Sequence, residues 1–393
     1  MPIASFIIKN NFQRRNDIHY EDILTSEILE DVCFRITGQR EYSVTFDSTD
    51  YNKGRLAKLE YRGEISYISF SEFEIRSRNS FFQSFPTALV KYHEEENPNK
   101  RIFFYFLPPD GNIETNYFRF MYRLMKTAGT EFLNDREFLN SRILPFSSVE
   151  DIILNKNNIR DRNRSNNSTF LTKDEYSNLE IFGKTYGANK YETTLLCLAI
   201  AKVATTNIIL YEIQEGNLRQ LPRPARELLN SFNRIRIITS DLTLEREEFE
   251  KNDSLRSPSF IYNLLEKLGD KKCCLCGCEI PQLIQGAHIW PVANIKRTNN
   301  ISRQEKIQHA LDGDNGIWLC NNHHKLFDID LIMIDNEGGI KYKSDLREID
   351  EDYVCDFTNH NRINTQFLTP NFLQYLERRN NFINPDLYTP LDL

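Results

Sequence analysis

No stretch of this 393-residue chain approaches the roughly 20 consecutive apolar residues of a membrane span, so no membrane partner is expected. The first ten residues lack the charged, apolar and small-residue order of a secretory signal. No glycine-rich phosphate loop of Walker type occurs, which removes support for an ATP-driven machine. There is no internal repeat and no overall positive charge. The formal net charge is -7, so the protein is not basic over its whole surface. A local basic face can still bind nucleic acid while acidic surface elsewhere keeps the chain soluble. A disulfide framework is also missing. Of eight cysteines, five fall between Cys273 and Cys320, and Cys33, Cys197 and Cys355 are scattered. That is a metal pattern suited to a reducing compartment, and the expected location is cytoplasmic.

What is present is a chain long enough for two or three domains. With 27 Phe and 18 Tyr, its cores should be rich in aromatics. Short β-branched and aromatic runs at 42–46, 65–70 and 102–107 predict strands, separated by turn chemistry such as Arg62-Gly63-Glu64. Helical spacing of Phe120, Met121, Leu124, Met125, Ala128 and Phe132 predicts a helix over 117–133. Residues 1–150 therefore read as an α+β domain, and no motif in them states a function.

Residues 156–167 carry Lys156, Arg160, Arg162 and Arg164 among five asparagines. Such a stretch is either a solvated linker or a basic loop ordered by a DNA backbone. A buried helix is expected over 191–204, strands over 208–213 and 235–239, and a helix from near Ala225, after Pro222 and Pro224. The region 151–250 is an α/β middle segment. A boundary is expected in the charged, weakly hydrophobic stretch 245–257.

The C-terminal part is the most informative. Ser257 is a plausible N-cap, Pro258 suits a first turn, and Phe260, Ile261, Leu264, Leu265 and Leu268 share one face of a helix that Gly269 ends. Cys273 and Cys276 then form a Cys-x-x-Cys knuckle, and Cys320 and His323 a Cys-x-x-His knuckle. Four such residues on two tight turns have the types and spacing of a tetrahedral structural zinc site. His288, at the end of a strand over 283–289, Asn315, before a strand over 316–320, and His324, on a helix over 321–327, are not needed for that zinc. The same scaffold would nevertheless hold them close together. Cys274 and Cys278 are spare thiols, His309 is expected to be exposed, and Trp290 and Trp318 to fill the core.

Gly286-Ala287-His288-Ile289-Trp290-Pro291, Asp314-Asn315-Gly316-Ile317-Trp318-Leu319-Cys320 and His323-His324-Lys325-Leu326-Phe327-Asp328 follow one another in that order. Together they resemble the HNH, or ββα-metal, endonuclease family, in particular the restriction-enzyme-like branch with a four-ligand zinc site. The resemblance covers about residues 256–340. It implies an α+β architecture in which an N-terminal mixed α/β recognition region precedes a zinc-stapled nuclease domain at 256–345 and an extension at 346–393. It further implies that His288 is the general base, that Asn315 orients the base or helps to ligate metal, and that His324 binds a catalytic Mg2+ or Mn2+. Cys273, Cys276, Cys320 and His323 match the structural Zn2+ ligands. Many relatives carry Asp or His immediately before the base, where this chain has Ala287. Asp314, Asn315, water or Asp328, one helical turn beyond His324, could replace that ligand. Double-stranded DNA is the implied partner, contacted by Arg160, Arg162, Arg164, Arg256 and Lys325, and cutting both strands would call for a homodimer or sequential nicking. The activity implied is that of a type II restriction enzyme or a relative that reads modified bases. Two other readings stand beside it: a defence effector nuclease triggered by a nucleotide signal or partner, and a zinc-stapled DNA-binding module without chemistry. A pure binding module would need only His323, so the adjacent His324 favours an enzyme.

Overall fold

The computed structural model describes residues 2–9, 24–47, 56–71, 85–107, 116–134, 144–159, 169–185, 189–214, 220–240, 242–251 and 257–392. Arg160, Arg162, Arg164 and Arg256 lie outside the described residues. Among those described, thirteen helices and four sheets form a mixed α/β protein that divides into two compact units. No helix is long and apolar enough to cross a membrane among the described residues.

The first unit comprises 1–169, 184–205 and 219–236. Its sheet contains β1 (Ala4–Lys9), β2 (Tyr42–Asp47), β3 (Leu56–Tyr61), β4 (Glu64–Phe70), β5 (Lys100–Tyr105) and β6 (Glu131–Phe132), in the order β2-β1-β3-β4-β5-β6. The expected aromatic runs fall on β2, β4 and β5. The β3–β4 hairpin turns on Arg62 and Gly63, both at positive φ (50° and 80°), the backbone that a two-residue hairpin of matching twist requires. Helix α1 (Ser26–Thr37) buries Ile28, Leu29, Val32 and Cys33 against Phe6, Leu59, Ile68 and Phe103 of the sheet. The unit also holds α2 (Phe85–Glu94), α3 (Asn116–Thr127), α4 (Val149–Asn158), α5 (Asn189–Val203) and α6 (Arg223–Ser231).

Two expectations are corrected here. The helix predicted over 117–133 ends at Thr127, because Gly129 takes φ 99° and the chain enters β6 with Phe132. Lys156 is not part of a solvated stretch. It sits on α4, 6% exposed, and its Nζ pairs with the buried Glu192 of α5, whose other oxygen accepts from Tyr117 Oη at 3.0 Å. Burial of a charge is tolerated when it is paired in this way.

The second unit comprises 170–183, 206–218 and 237–393. It holds nearly all of a sheet of β7 (Thr169–Lys173), β8 (Leu179–Lys184), β9 (Ile208–Ile213) and β10 (Ile235–Ser240), in the order β10-β9-β8-β7. The charged stretch after it, where a boundary is expected, begins with α7 (Leu242–Lys251). Glu245 and Phe249 are its anchors, 2% and 4% exposed.

Helix α8 (Pro258–Leu268) organises the C-terminal part of this unit. Ser257 Oγ accepts from the Phe260 N–H at 3.2 Å, Pro258 opens the first turn, and the Gly269 N–H returns to the Leu265 carbonyl. Its Phe260 and Leu264 lie on a two-stranded antiparallel ribbon, β11 (Ile284–His288) and β12 (Gly316–Cys320), paired Gly286 to Trp318 and His288 to Gly316. The approach is close enough to demand glycine. A Cβ at Gly286 would lie 2.5 Å from Leu264 Cδ1, and one at Gly316 would lie 2.8 Å from Phe260 Cζ. Between the strands come α9 (Val292–Arg297) and α10 (Arg303–Leu311), and β12 runs into α11 (Asn321–Asp328). A small sheet of β13 (Ile332–Ile334), β14 (Ile340–Lys343) and β15 (Tyr388–Pro390) frames α12 (Glu348–Phe357) and α13 (Pro370–Asn380). One apolar core runs from Phe249 through Trp318 and Phe327 to Phe372, Leu376 and Leu391, so residues after 345 pack with the ββα ribbon and helix.

Candidate active site and metal centre

The first knuckle is shaped by backbone geometry. Gly277 adopts φ 71° and donates to the Cys273 carbonyl at 2.9 Å, while the Cys273 N–H donates to the Cys278 carbonyl. The Cys274 N–H binds the Trp318 carbonyl, which fastens the knuckle to β12. The second knuckle is the junction of β12 with α11. These two turns bring Cys273, Cys276, Cys320 and His323 together with all four donor atoms within 4.8 Å of one another, a group able to hold one metal ion. Cys276 Sγ lies 3.8 Å from Cys320 Sγ, and His323 Nδ1 lies 3.2 Å from Cys320 Sγ and 3.5 Å from Cys273 Sγ. His323 Nε2 is 3.0 Å from Thr358 Oγ1, and its ring stacks on Phe357. With Nε2–H donating to Thr358, the Nδ1 lone pair faces the sulfurs, which is the tautomer a ligand needs. Hydrogen bonding from Cys320, then His323, holds the Cys273 thiol well below the usual thiol range. Cys274, beside the centre, is pushed up to about 12 by burial and the neighbouring Cys273. It is an inert thiol.

Alternation along β11 separates the other residues. Gly286 and His288 face α8, whereas Gln285 meets α11, and Ala287, 0% exposed, shares that side. The half-buried His288 ring stacks on Phe260, with centroids 3.9 Å apart and planes within 9°. Its Nε2 is 2.9 Å from the Ala310 carbonyl at the end of α10. A carbonyl accepts only, so Nε2 carries the proton and Nδ1 keeps the lone pair of the neutral ring. Burial, followed by the nearby His324, lowers the His288 pKa to about 4.

His324 is half-buried on α11. Its Nδ1 lies 3.2 Å from Gln285 Oε1, and its Nε2 lies 3.5 Å from Asp328 Oδ2 one turn on. Lys325 is exposed beside it. Asp314 is committed elsewhere. Lys267 donates to one of its oxygens at 2.9 Å and Thr369 to the other at 3.0 Å. Asn315 is 0% exposed. Its Oδ1 accepts from the Trp290 N–H at 2.8 Å, and its Nδ2 donates to the Trp290 carbonyl at 3.2 Å and the His309 carbonyl at 2.9 Å. Its own carbonyl accepts from Ile289. Asn315 thus holds the two residues after His288, Ile289 through its backbone carbonyl and Trp290 through its side-chain amide. His309 is half-buried, not exposed as expected, with Nδ1 2.8 Å from Tyr375 Oη. The Phe260 ring, the Ala310 carbonyl, Gln285 and Thr358 all touch the site, yet none belongs to a local motif.

Residues 273–335 match the family model described as HNH endonuclease. This segment is an HNH endonuclease domain. The match implies nuclease, hydrolase chemistry and DNA as substrate, and it contains His288, Asn315, His324 and all four residues of the metal-ligand cluster. No curated protein matches the chain.

The HNH site makes a measurable prediction in the absence of DNA. The imidazole of His288 should stay neutral in an NMR titration from pH 7 downward and take up its proton near pH 4, with burial as the main cause. Unfolded histidine protonates near pH 6.5. The unfolded chain therefore binds this proton first, and the His288 contribution to stability should fall as pH drops from about 6.5 through about 4. A midpoint at or above 6.5 in the folded protein would show that the ring is not seated on Phe260.

Proposed function

We propose that the chain is a DNA endonuclease of restriction type, in which the region before residue 256 selects the site and the HNH domain hydrolyses the phosphodiester. The observation that carries the chemistry is His288, a neutral imidazole whose Nε2 is engaged by a backbone carbonyl while Nδ1 is the basic nitrogen. His288 Nδ1 takes the proton of the attacking water. A pKa of about 4 leaves the base free of its proton at neutral pH, and a phosphate lying beside it raises its proton affinity in the complex. Asn315 keeps the His288–Trp290 turn in place and acts as a positioning residue. His324 and Asp328 are the residues that would hold a divalent Mg2+ or Mn2+. When bound, that ion supplies charge stabilisation for the scissile phosphate and the departing 3′-oxygen. Ala287 faces the α11 side without a donor, which leaves Asp328 as the carboxylate next to His324. Lys325, on the same helix, offers a phosphate contact.

The four-residue cluster is assigned to structural zinc. Sulfur ligands at about 2.3 Å from a tetrahedral ion lie about 3.8 Å apart, which agrees with Cys276 and Cys320. Site selection by the first unit is supported by its independent core and by the chemistry of base reading, since a grip on one phosphate carries no sequence information.

The deciding assay incubates the purified protein with methylated and unmethylated genomic DNA, with and without Mg2+ or Mn2+. Discrete fragments are expected, and cutting of only one substrate would identify a reader of modification. Uniform smearing would remove the site-selecting role. Cutting that required an added nucleotide or protein would favour the defence effector.

A further inference from the structure

The HNH match ends at residue 335, but the ribbon and helix it covers are fastened by a segment beyond it. Helix α13 reaches the site from both of its ends. At its start, the Thr369 hydroxyl caps the helix by accepting from Phe372 and donates to Asp314, the neighbour of Asn315. Near its end, Arg379 is 5% exposed and lies over the Phe327 ring at 3.8 Å. Its Nη1 donates to the Ile289 carbonyl at 3.2 Å, and its Nη2 donates to the Phe327 carbonyl and, at 2.6 Å, to Asp330.

These acceptors are not arbitrary. Ile289 directly follows His288, and Phe327 directly precedes Asp328. One guanidinium thus ties the strand end that carries the base to the helix turn that carries the Asp328 carboxylate. The Ile289 peptides are held on both sides, the N–H by the Asn315 carbonyl and the carbonyl by Arg379. A planar fork suits this bridge, because separate nitrogens reach separate carbonyls from a fixed plane. A lysine carries its three donors on one nitrogen and lacks the planar fork that reaches the two carbonyls from separate nitrogens.

We propose that Arg379 is a positioning residue of the nuclease site, setting the distance between His288 and the His324–Asp328 pair from outside the family-matched segment. The inference rests on the endonuclease reading for its consequence in catalysis, but its structural content can be read without DNA.

The test compares the parental protein with Arg379→Ala, Arg379→Lys and Asp330→Ala, each checked for folding and retained metal. In NMR spectra of histidine-labelled protein, Arg379→Ala should move or broaden the ring signals of His288 and His324 and leave His323 unchanged. Cleavage at saturating DNA should fall roughly 10- to 100-fold, the scale of a catalytic group displaced by about 1 Å, while KM for DNA changes less than about 3-fold. Guanidinium ion at low millimolar concentration should partly restore Arg379→Ala, and Arg379→Lys should remain impaired. If Arg379→Ala does not fold, Asp330→Ala loosens the same guanidinium from its more exposed side and should shift the same two rings. Unmoved His288 and His324 signals in a folded variant overturn the proposal. So does a parental cleavage rate, or a loss spread equally over His323. If the parental protein cuts no DNA, the endonuclease reading fails, and the ring signals still decide the role of Arg379.

Discussion

Replacing His288 by alanine should lower the rate of DNA cleavage by roughly 100-fold or more, the scale of a lost general base, while DNA binding stays near the parental value. The argument turns on what the ring contacts. Its proton-bearing Nε2 is 2.9 Å from one backbone carbonyl, and its face lies on Phe260. Alanine removes one hydrogen bond and a stacked ring from the end of a strand. The turn itself is still held by Asn315 through Trp290 and Ile289 and by Arg379 through Ile289. The fold should therefore survive the loss of the base. The comparison that separates chemistry from structure is His288→Ala beside His324→Ala, measured for cleavage, DNA affinity and melting. Loss in His288→Ala should persist at saturating divalent metal. Loss in His324→Ala should ease as metal is raised, because that variant weakens the binding of the ion. A folded His288→Ala protein that cuts at the parental rate would show that another group accepts the proton.

The parts of this site that could be read in the amino-acid sequence are those whose signal is local. Two knuckles with fixed spacing, a strand that ends on His288 and a helix that begins after Cys320 each depend on a few consecutive residues. Strands β2, β4 and β5 were likewise legible from their aromatic and β-branched runs. The misses share a different cause. Helix α7 is charged along most of its length, so its composition signalled a boundary and not the helix that Glu245 and Phe249 anchor. Helix α3 stops because Gly129 reverses the backbone, although Phe132 continued the helical spacing. Lys156 looked solvated because its partner Glu192 is 36 residues away. Arg379 and Thr358 were invisible for the same reason. Neither belongs to a motif, and their partners at Ile289, Phe327 and His323 become neighbours only once the chain after 345 has packed on the ribbon. Gly286 and Gly316 look like ordinary motif glycines. In the fold they let α8 lie close on the ribbon.

Cys320→Ala should yield a protein whose HNH region is unfolded or rapidly cut by protease, and the parental chain should retain about one zinc ion through dialysis. The physical reason lies in what the ion would replace. Cys273, Cys320 and His323 are 1%, 4% and 0% exposed, and their donor atoms converge on one point. Thiolates and an imidazole brought together there without a cation would face one another unneutralised in a poorly solvated site. Binding of structural zinc contributes on the order of 10 kcal/mol or more, comparable with the whole stability of a typical domain at about 5–15 kcal/mol. Loss of one ligand should therefore be enough to unfold what the two knuckles staple. Thr358→Ala should be milder, because it removes the acceptor that fixes the His323 tautomer and leaves all four ligands in place. A loss of about 10- to 100-fold in zinc affinity is the scale for such an outer contact. Metal analysis, melting and limited proteolysis of the parental protein, Cys320→Ala and Thr358→Ala would order the three. A metal-free Cys320→Ala protein that melts and resists protease as the parental chain does would remove zinc from the structure of the site, leaving the cysteines as buried thiols.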